Sequence, residues 1–477
     1  MAQARDQWGS RLGFVLAASG SAVGLGNLWK FPYIAWDNHG GAFVLVYLAC
    51  IMVVGMPVMM SEIIIGRRAQ TSPVPAFGEL GHPRWAFVGW LGVASGIMIL
   101  SFYCVIAGWS ISSFVQCIKW SVSGYDAPAN DAFGIFLAKG PLQLFLTATF
   151  MAITAWIVSR GISGGIEKAT KILMPVLLGI MILLVLNSVS LSGFGEALRF
   201  LFNPDFSEFE RHGVLEALGH AFFTLSLGMG AMITYGSYMK KSESITKASA
   251  AIVALDTVIA LAACVIMYTV IFSFPEMKSQ IGRSSVGMLF VTLPQMFYTK
   301  MGLGVLLGPV FYILVAFAAL SSTISLLEVV VALLVDKLNW TRVKSTAVAS
   351  GFIFFFSIFC ALSLGASSWA STFEFFGTSD TGLGAALNNR FFADKQGFLA
   401  LFDHFSANWM LPVGGLFITL FAGWVLSRKT SAEELDMVGP DGSTHWIFRT
   451  WLFFVRFVAP LGIGWIIVRV IMGEDFS

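Results

Sequence analysis

Residues Trp8–Pro32 read W-G-S-R-L-G-F-V-L-A-A-S-G-S-A-V-G-L-G-N-L-W-K-F-P. The stretch starts as an apolar helix and is helical again at Leu28–Phe31, just before Pro32. Between these parts lies Ser19-Gly20-Ser21-Ala22-Val23-Gly24-Leu25-Gly26-Asn27. Its glycines at 20, 24 and 26 are poor helix formers. In lipid there is a second cost, because an unsatisfied backbone group has no water to turn to. Two readings are open at this point. Small residues let neighbouring helices approach closely. Alternatively the helix is broken, its freed carbonyls holding a cation and the amides of its second half facing an anionic group.

Composition decides that this stretch sits in a membrane. The 477 residues are 57% hydrophobic and 12% charged, where a soluble domain carries about 25% charge. The mean hydropathy is +0.79. A net charge of +2 is too near balance to suggest a nucleic-acid partner. The pattern predicts eleven spans, at 10–33, 41–66, 87–117, 141–158, 166–188, 214–238, 246–274, 302–335, 346–365, 404–427 and 446–472. With the N-terminus inside, Arg67, Arg68, Lys240, Lys241, Lys337, Arg342, Lys344, Arg428 and Lys429 fall in inner segments. That satisfies the positive-inside rule and leaves the C-terminus outside. The five cysteines and six histidines show no metal or disulfide spacing. No nucleophile–base pair stands out, so an enzyme is not expected.

Two later stretches echo the first. Residues 219–230 read G-H-A-F-F-T-L-S-L-G-M-G, and Gly228-Met229-Gly230 matches Gly24-Leu25-Gly26 five spans earlier. An odd number of spans per half inverts the second half, giving halves at 10–188 and 214–427 with span 446–472 added. Paired interruptions in two inverted halves point to a transporter's binding site, which favours the broken-helix reading. The third stretch, Ala318-Ala319-Leu320-Ser321-Ser322-Thr323, places hydroxyls at bilayer depth. They either bond back to their own helix or supply oxygens to a hard cation. Asp256, in A-I-V-A-L-D-T-V-I-A-L, is an intramembrane carboxylate and a functional candidate. Glu62 and Glu328 lie nearer the inner ends, where pairing with loop cations is expected.

Five motifs now form one set: Trp8–Gly13, Gly20–Pro32, Asn38–Phe43 (N-H-G-G-A-F), Arg160–Pro175 (R-G-I-S-G-G-I-E-K-A-T-K-I-L-M-P) and Phe222–Tyr238 (F-F-T-L-S-L-G-M-G-A-M-I-T-Y-G-S-Y). In this order they resemble a bacterial member of the neurotransmitter:sodium symporter family. The resemblance implies an all-α integral membrane protein of LeuT fold, a 5+5 inverted repeat with spans 1 and 6 broken. It implies multi-pass insertion in a bacterial inner membrane and sodium-coupled uptake of an amino acid by alternating access. Two Na+ sites are implied. One would use the Ala22 carbonyl, Asn27, Thr224 and Asp256, closed by the substrate carboxylate. The other would use the carbonyls of Gly20, Val23 and Ala318 with the hydroxyls of Ser321 and Ser322. The substrate would meet Ala22, Leu25, Gly26, Tyr103, Phe223, Thr224 and Ser226. Its side chain would lie against Val23, Ile99, Phe223, Met229, Ser322 and Leu326, an apolar subsite suited to an aliphatic or aromatic group. Tyr103 and Phe223 would close over it. Lys30 with Asp403 would form the outer gate, and Arg5 with Asp336, near Trp8 and Tyr238, the inner one.

The sequence departs from the family pattern at several positions. Lys30 stands where arginine is usual and loses bidentate pairing. Ser21 replaces a residue that is often Asn, Gly or Asp, and its part in binding is left open. Asp256 replaces a common Asn, and Ala260 cannot act as the serine ligand of chloride-dependent members. A fixed carboxylate at Asp256, near Tyr47 and His220, would then replace chloride. The Gly165–Pro175 spacing would let the inner half of span 5 unwind and admit water to the second sodium site. The alternative function is a non-transporting membrane sensor that kept the site.

Overall fold

The computed structural model describes residues 6–129, 131–274, 285–377, 382–438 and 444–475. Among these residues there is no strand, only an isolated bridge between Val438 and Thr444. Nine helices among the described residues are long and apolar enough to cross a membrane. They are α2 (Gly41–Ala69), α3 (Pro83–Ser123), α4 (Gly140–Ser159), α5 (Ile162–Val189), α7 (Ile245–Ser273), α8 (Gly304–Leu338), α9 (Arg342–Leu362), α10 (Phe398–Val425) and α11 (Trp446–Ile471). A tenth span, α1, is bent by 52° between Arg11–Ala22 and Gly26–Asp37. The eleventh, α6, consists of Arg211–Thr224 and Ala231–Gly236, separated by a non-helical stretch. Ten of the eleven expected spans thus stand where the hydropathy pattern placed them, and the eleventh position, 214–238, holds the two shorter helices of α6.

The two breaks have local causes. In α1, the Val23 amide still bonds to the Ser19 carbonyl, but Val23 itself is extended, with φ −75° and ψ 95°. In α6, Ser226, Gly228 and Gly230 all take positive φ, at 54°, 77° and 76°. Glycine reaches that region freely, whereas a serine there is strained. A Cβ on Gly228 would also lie 2.4 Å from the Leu411 carbonyl oxygen. Glu62 of α2 steadies this stretch: its Oε1 accepts a 2.7 Å bond from the Gly228 amide. This corrects the expectation that Glu62 pairs with a loop cation. Glu328 does meet that expectation, bonding to Arg342 and to the Tyr238 hydroxyl.

Burial shows where the centre lies. The apolar windows of α3 and α8 are each 78% buried, against 33% in α5 and α11. The first half of α1 packs against α5, α7 and α8. The breaks of α1 and α6 thus face α3, α7 and α8 inside the bundle, where non-helical backbone is tolerated because it lines a cavity.

Candidate functional site

The break in α1 frees oxygens on two sides. On one side stands Asp256 of α7, fully buried. Its Oδ1 accepts 2.8 Å bonds from the Asn27 amide and the Thr224 hydroxyl. Its Oδ2 accepts from the Tyr47 hydroxyl at 3.2 Å. The Asn27 side-chain oxygen in turn accepts from the Gly24 amide, at 3.1 Å. Among the described residues no Lys, Arg or His forms an ion pair with Asp256. A buried carboxylate with three donors and no cation is a costly arrangement that a bound cation relieves. His220, its ring tilted against Phe31 at 5.3 Å and Tyr47 at 5.7 Å, has no hydrogen-bond partner for either ring nitrogen.

On the other side, α8 meets the same break. Ser321 Oγ bonds to the Ala318 carbonyl at 3.0 Å and lies 3.5 Å from the Val23 carbonyl. Ser322 Oγ lies 3.3–3.4 Å from the carbonyls of Ser21, Gly20 and Ala318. These hydroxyls do bond back to their own helix, and they also face the freed carbonyls of α1. The chemistry is uniformly oxygen, which suits a hard cation.

Between the two oxygen clusters lies a cavity. Ala22, Gly26, Asn27, Ile99, Tyr103, Phe223, Thr224, Ser226, Met229, Ser322 and Leu326 line it, together with Ser21, Gly24 and Ser325. Val23 and Leu25, expected to touch substrate, do not line it. Their backbones serve instead: the Val23 carbonyl faces Ser321, and the Leu25 amide donates to the Tyr103 hydroxyl at 2.9 Å. Ser325 was not anticipated. Its one signal is position, a single turn beyond Ser321-Ser322 on the buried face of α8.

At one end of the cavity the Lys30 ammonium sits 5.5 Å above the Phe223 ring. No ion pair joins Lys30 to Asp403 among the described residues, so the expected outer pair is not formed here. At the other end Trp8 is fully buried, its indole donating to the Tyr235 carbonyl at 2.9 Å and its amide to the Tyr238 carbonyl at 3.1 Å. Asp336 accepts from the Ser72 amide and the Thr71 hydroxyl. Arg5 lies outside the described residues.

The model of the sodium:neurotransmitter symporter family matches residues 5–127 and 135–389. The chain belongs to that family. A sodium-dependent transporter of Bacillus subtilis, YhdH, is 35% identical over 96% of both chains. One from Methanocaldococcus jannaschii is 30% identical, covering 96% of this chain and 88% of its own. The crystal structure of MhsT in complex with L-phenylalanine superposes with a TM-score of 0.82 at 38% identity, over 98% of this chain and 100% of that one. The fold is therefore the LeuT fold of this family, and the protein is a multi-pass, sodium-dependent symporter.

Proposed function

We propose that the protein couples inward sodium movement to uptake of an amino acid with an apolar or aromatic side chain, by alternating access and without chloride. The observation that carries this reading is the buried Asp256 carboxylate, held by three donors beside the break of α1 and left without a protein cation. In this reading the first Na+ binds the Ala22 carbonyl, Asn27, Thr224 and Asp256, and the substrate carboxylate completes the cage. The second binds the carbonyls of Gly20, Val23 and Ala318 and the hydroxyls of Ser321 and Ser322. The substrate carboxylate meets the Gly26 amide and Tyr103. Its ammonium meets the carbonyls of Ala22, Phe223, Thr224 and Ser226. Ile99, Met229 and Leu326 flank the side chain; Met229 is unbranched and accommodates a large one. That MhsT crystallised with L-phenylalanine is consistent with this class of substrate.

Sodium acts through differential binding: it favours the state in which both cages are intact, and full occupancy permits closure. Tyr103 and Phe223 close over the substrate. Lys30 and Asp403 form the outer gate, and Arg5, Trp8, Tyr238 and Asp336 the inner one. The gates alternate between halves 10–188 and 214–427, with α11 outside the repeat. The N-terminus lies on the cytoplasmic face of a bacterial inner membrane and the C-terminus outside. Because Asp256 supplies a fixed negative charge beside Tyr47 and His220, no anion is needed to balance the first Na+.

The test is uptake into proteoliposomes under an inward sodium gradient, with all twenty amino acids supplied and the lumen read by mass spectrometry. Accumulation of a few apolar amino acids is expected, abolished when potassium replaces sodium and unchanged when gluconate replaces chloride. Collapse in gluconate would sink the chloride-independent part. Sodium-dependent binding without accumulation would favour a membrane sensor instead.

A further inference from the structure

The floor of the central cavity carries a feature that an apolar side-chain subsite does not need. Three buried hydroxyls from three different elements converge there: Ser21 beside the α1 break, Ser226 in the α6 break, and Ser325 on α8. Ser21 Oγ lies 2.7 Å from Ser325 Oγ and 3.1 Å from Ser226 Oγ. Each hydroxyl has one proton to give and two lone pairs to receive with. The Ser226 proton goes to the Ser21 carbonyl at 2.9 Å, and the Ser325 proton to the Ser322 carbonyl at 2.8 Å. The Ser21 proton goes to Ser325, its nearer neighbour. All three protons are thus spent inside the protein, while lone pairs on Ser21, Ser226 and Ser325 remain. As bonded here, the cluster accepts a hydrogen bond without rearrangement and offers one only if a hydroxyl turns away from its present partner.

Such a floor discriminates among side chains by the sign of their polar tip. A tip that donates, such as a phenol O–H or an indole N–H, finds an acceptor. A tip that only accepts, such as a carbonyl, thioether or aryl fluoride, meets oxygen lone pairs and gains a bond only when a hydroxyl gives up the one it already makes. A purely hydrocarbon tip neither gains nor leaves a proton stranded, because the cluster is satisfied without a ligand.

We infer that Ser21 and Ser325 are specificity determinants that read a hydrogen-bond donor at the tip of an aromatic side chain, so that the preferred substrates are donor-bearing aromatic amino acids. This rests on the uptake reading above and refines its substrate class. Ser226 is shared: it lies where the ammonium binds, and the ammonium is also a donor. Ser21 and Ser325 line the same cavity as Ile99, Met229 and Leu326, the residues that flank the side chain in that reading.

The experiment measures sodium-dependent binding of L-phenylalanine, L-tyrosine and 4-fluoro-L-phenylalanine to the full-length protein in nanodiscs. The last compound places an acceptor of similar size where tyrosine has its donor. Tyrosine is expected to bind about tenfold tighter than phenylalanine, the effect of one well-made hydrogen bond in a closed site. The fluoro compound is expected to bind no tighter than phenylalanine. Ser325→Ala should bring the phenylalanine-to-tyrosine ratio toward one, and Ser325→Thr, which keeps the hydroxyl, should retain it. The inference is overturned if the wild-type ratio is near one, or if Ser325→Ala weakens phenylalanine and tyrosine equally, which would assign the hydroxyls to the ammonium. If Ser325→Ala does not fold, the three ligands on the wild-type protein still decide. Binding of no amino acid at all would instead overturn the uptake reading, so the two failures are distinguishable.

Discussion

At the scale of single residues, the site is controlled by space as much as by ligands. Gly24 has an ordinary backbone, but a Cβ there would lie 2.7 Å from Ser322 Oγ and 2.8 Å from the Tyr103 hydroxyl. Both are cavity residues, so Gly24→Ala would push apart the groups proposed to hold the substrate carboxylate and the second Na+. Overpacking a tight site costs about 1–3 kcal/mol, and substrate affinity should fall roughly ten- to a hundredfold in isothermal titration with sodium present. Gly464→Ala, where nothing lies within 4 Å of the added Cβ, is the control. An unaltered affinity in Gly24→Ala would mean that the cavity relaxes freely, against the close packing described. The residue-scale site was partly legible in the sequence. Asn27, Asp256, Ser321 and Ser322 stand out because polar side chains are rare at bilayer depth. Ser325 and the bonding of Ser21 do not stand out, because a serine on a membrane helix usually bonds back to its own turn. Only the approach of α1, α6 and α8 brings these hydroxyls together.

At the scale of elements, one buried ion pair fastens α2 to the segment that follows α10. Arg67, at the last turn of α2, is 2% exposed. Its Nε donates to Glu434 Oε2 at 2.7 Å, and its two Nη atoms donate to the carbonyls of Glu243 and Glu434. Glu434 ends the short helix Arg428–Glu434. Removing one partner of such a pair leaves the other buried and uncompensated, at about 3–5 kcal/mol. Arg67→Ala should therefore lower the thermal midpoint in detergent by several degrees. Arg67→Lys should recover only part of the loss, because an ammonium cannot reach three acceptors in a fixed fork. A midpoint unchanged in Arg67→Ala would show that Arg68, 3.4 Å from Glu434, takes over the pair. The spans and both breaks were legible from hydropathy and from clusters of glycine and hydroxyl residues. The Arg67–Glu434 clamp was not, since its partners are 367 residues apart. Glu62 was misread for a related reason: the group it holds is a backbone amide, and no sequence pattern marks that amide as free.

At the scale of the whole molecule, the two ends of the bundle are tied unequally. At the end holding Trp8, the Tyr238 hydroxyl donates to Glu328 at 2.7 Å, Arg342 pairs with the same fully buried carboxylate, and its Nε also reaches the Val158 carbonyl at 2.8 Å. The ends of α4, α6, α8 and α9 on that side thus converge on one group. At the opposite end the half-buried Lys30 rests on an aromatic ring, a contact worth about 0.5–2 kcal/mol. A transporter balanced between two faces must be able to release the tighter end, and the proposed cation cages draw their oxygens from α1, α6, α7 and α8, so ion occupancy and this tie meet on α6 and α8. Glu328→Gln keeps the volume and removes the charge facing Arg342. A charge-assisted bond of this kind is worth about 1.5–3 kcal/mol, so the Trp8 end should open at least tenfold more often. Hydrogen–deuterium exchange should then speed up about tenfold at amides of 9–14 and 162–166, where Glu167 now holds the Gly9 amide at 2.6 Å, with little change at 31–37. Saturating sodium should restore protection, because binding to intact cages opposes opening. Faster exchange everywhere would signal general destabilisation, and no change at 9–14 would show that the Glu328 tie does not hold that end closed. Protection recovered by sodium at 9–14 but not at 162–166 would place the opening in α5, where Gly165 and Pro175 flank the first turns.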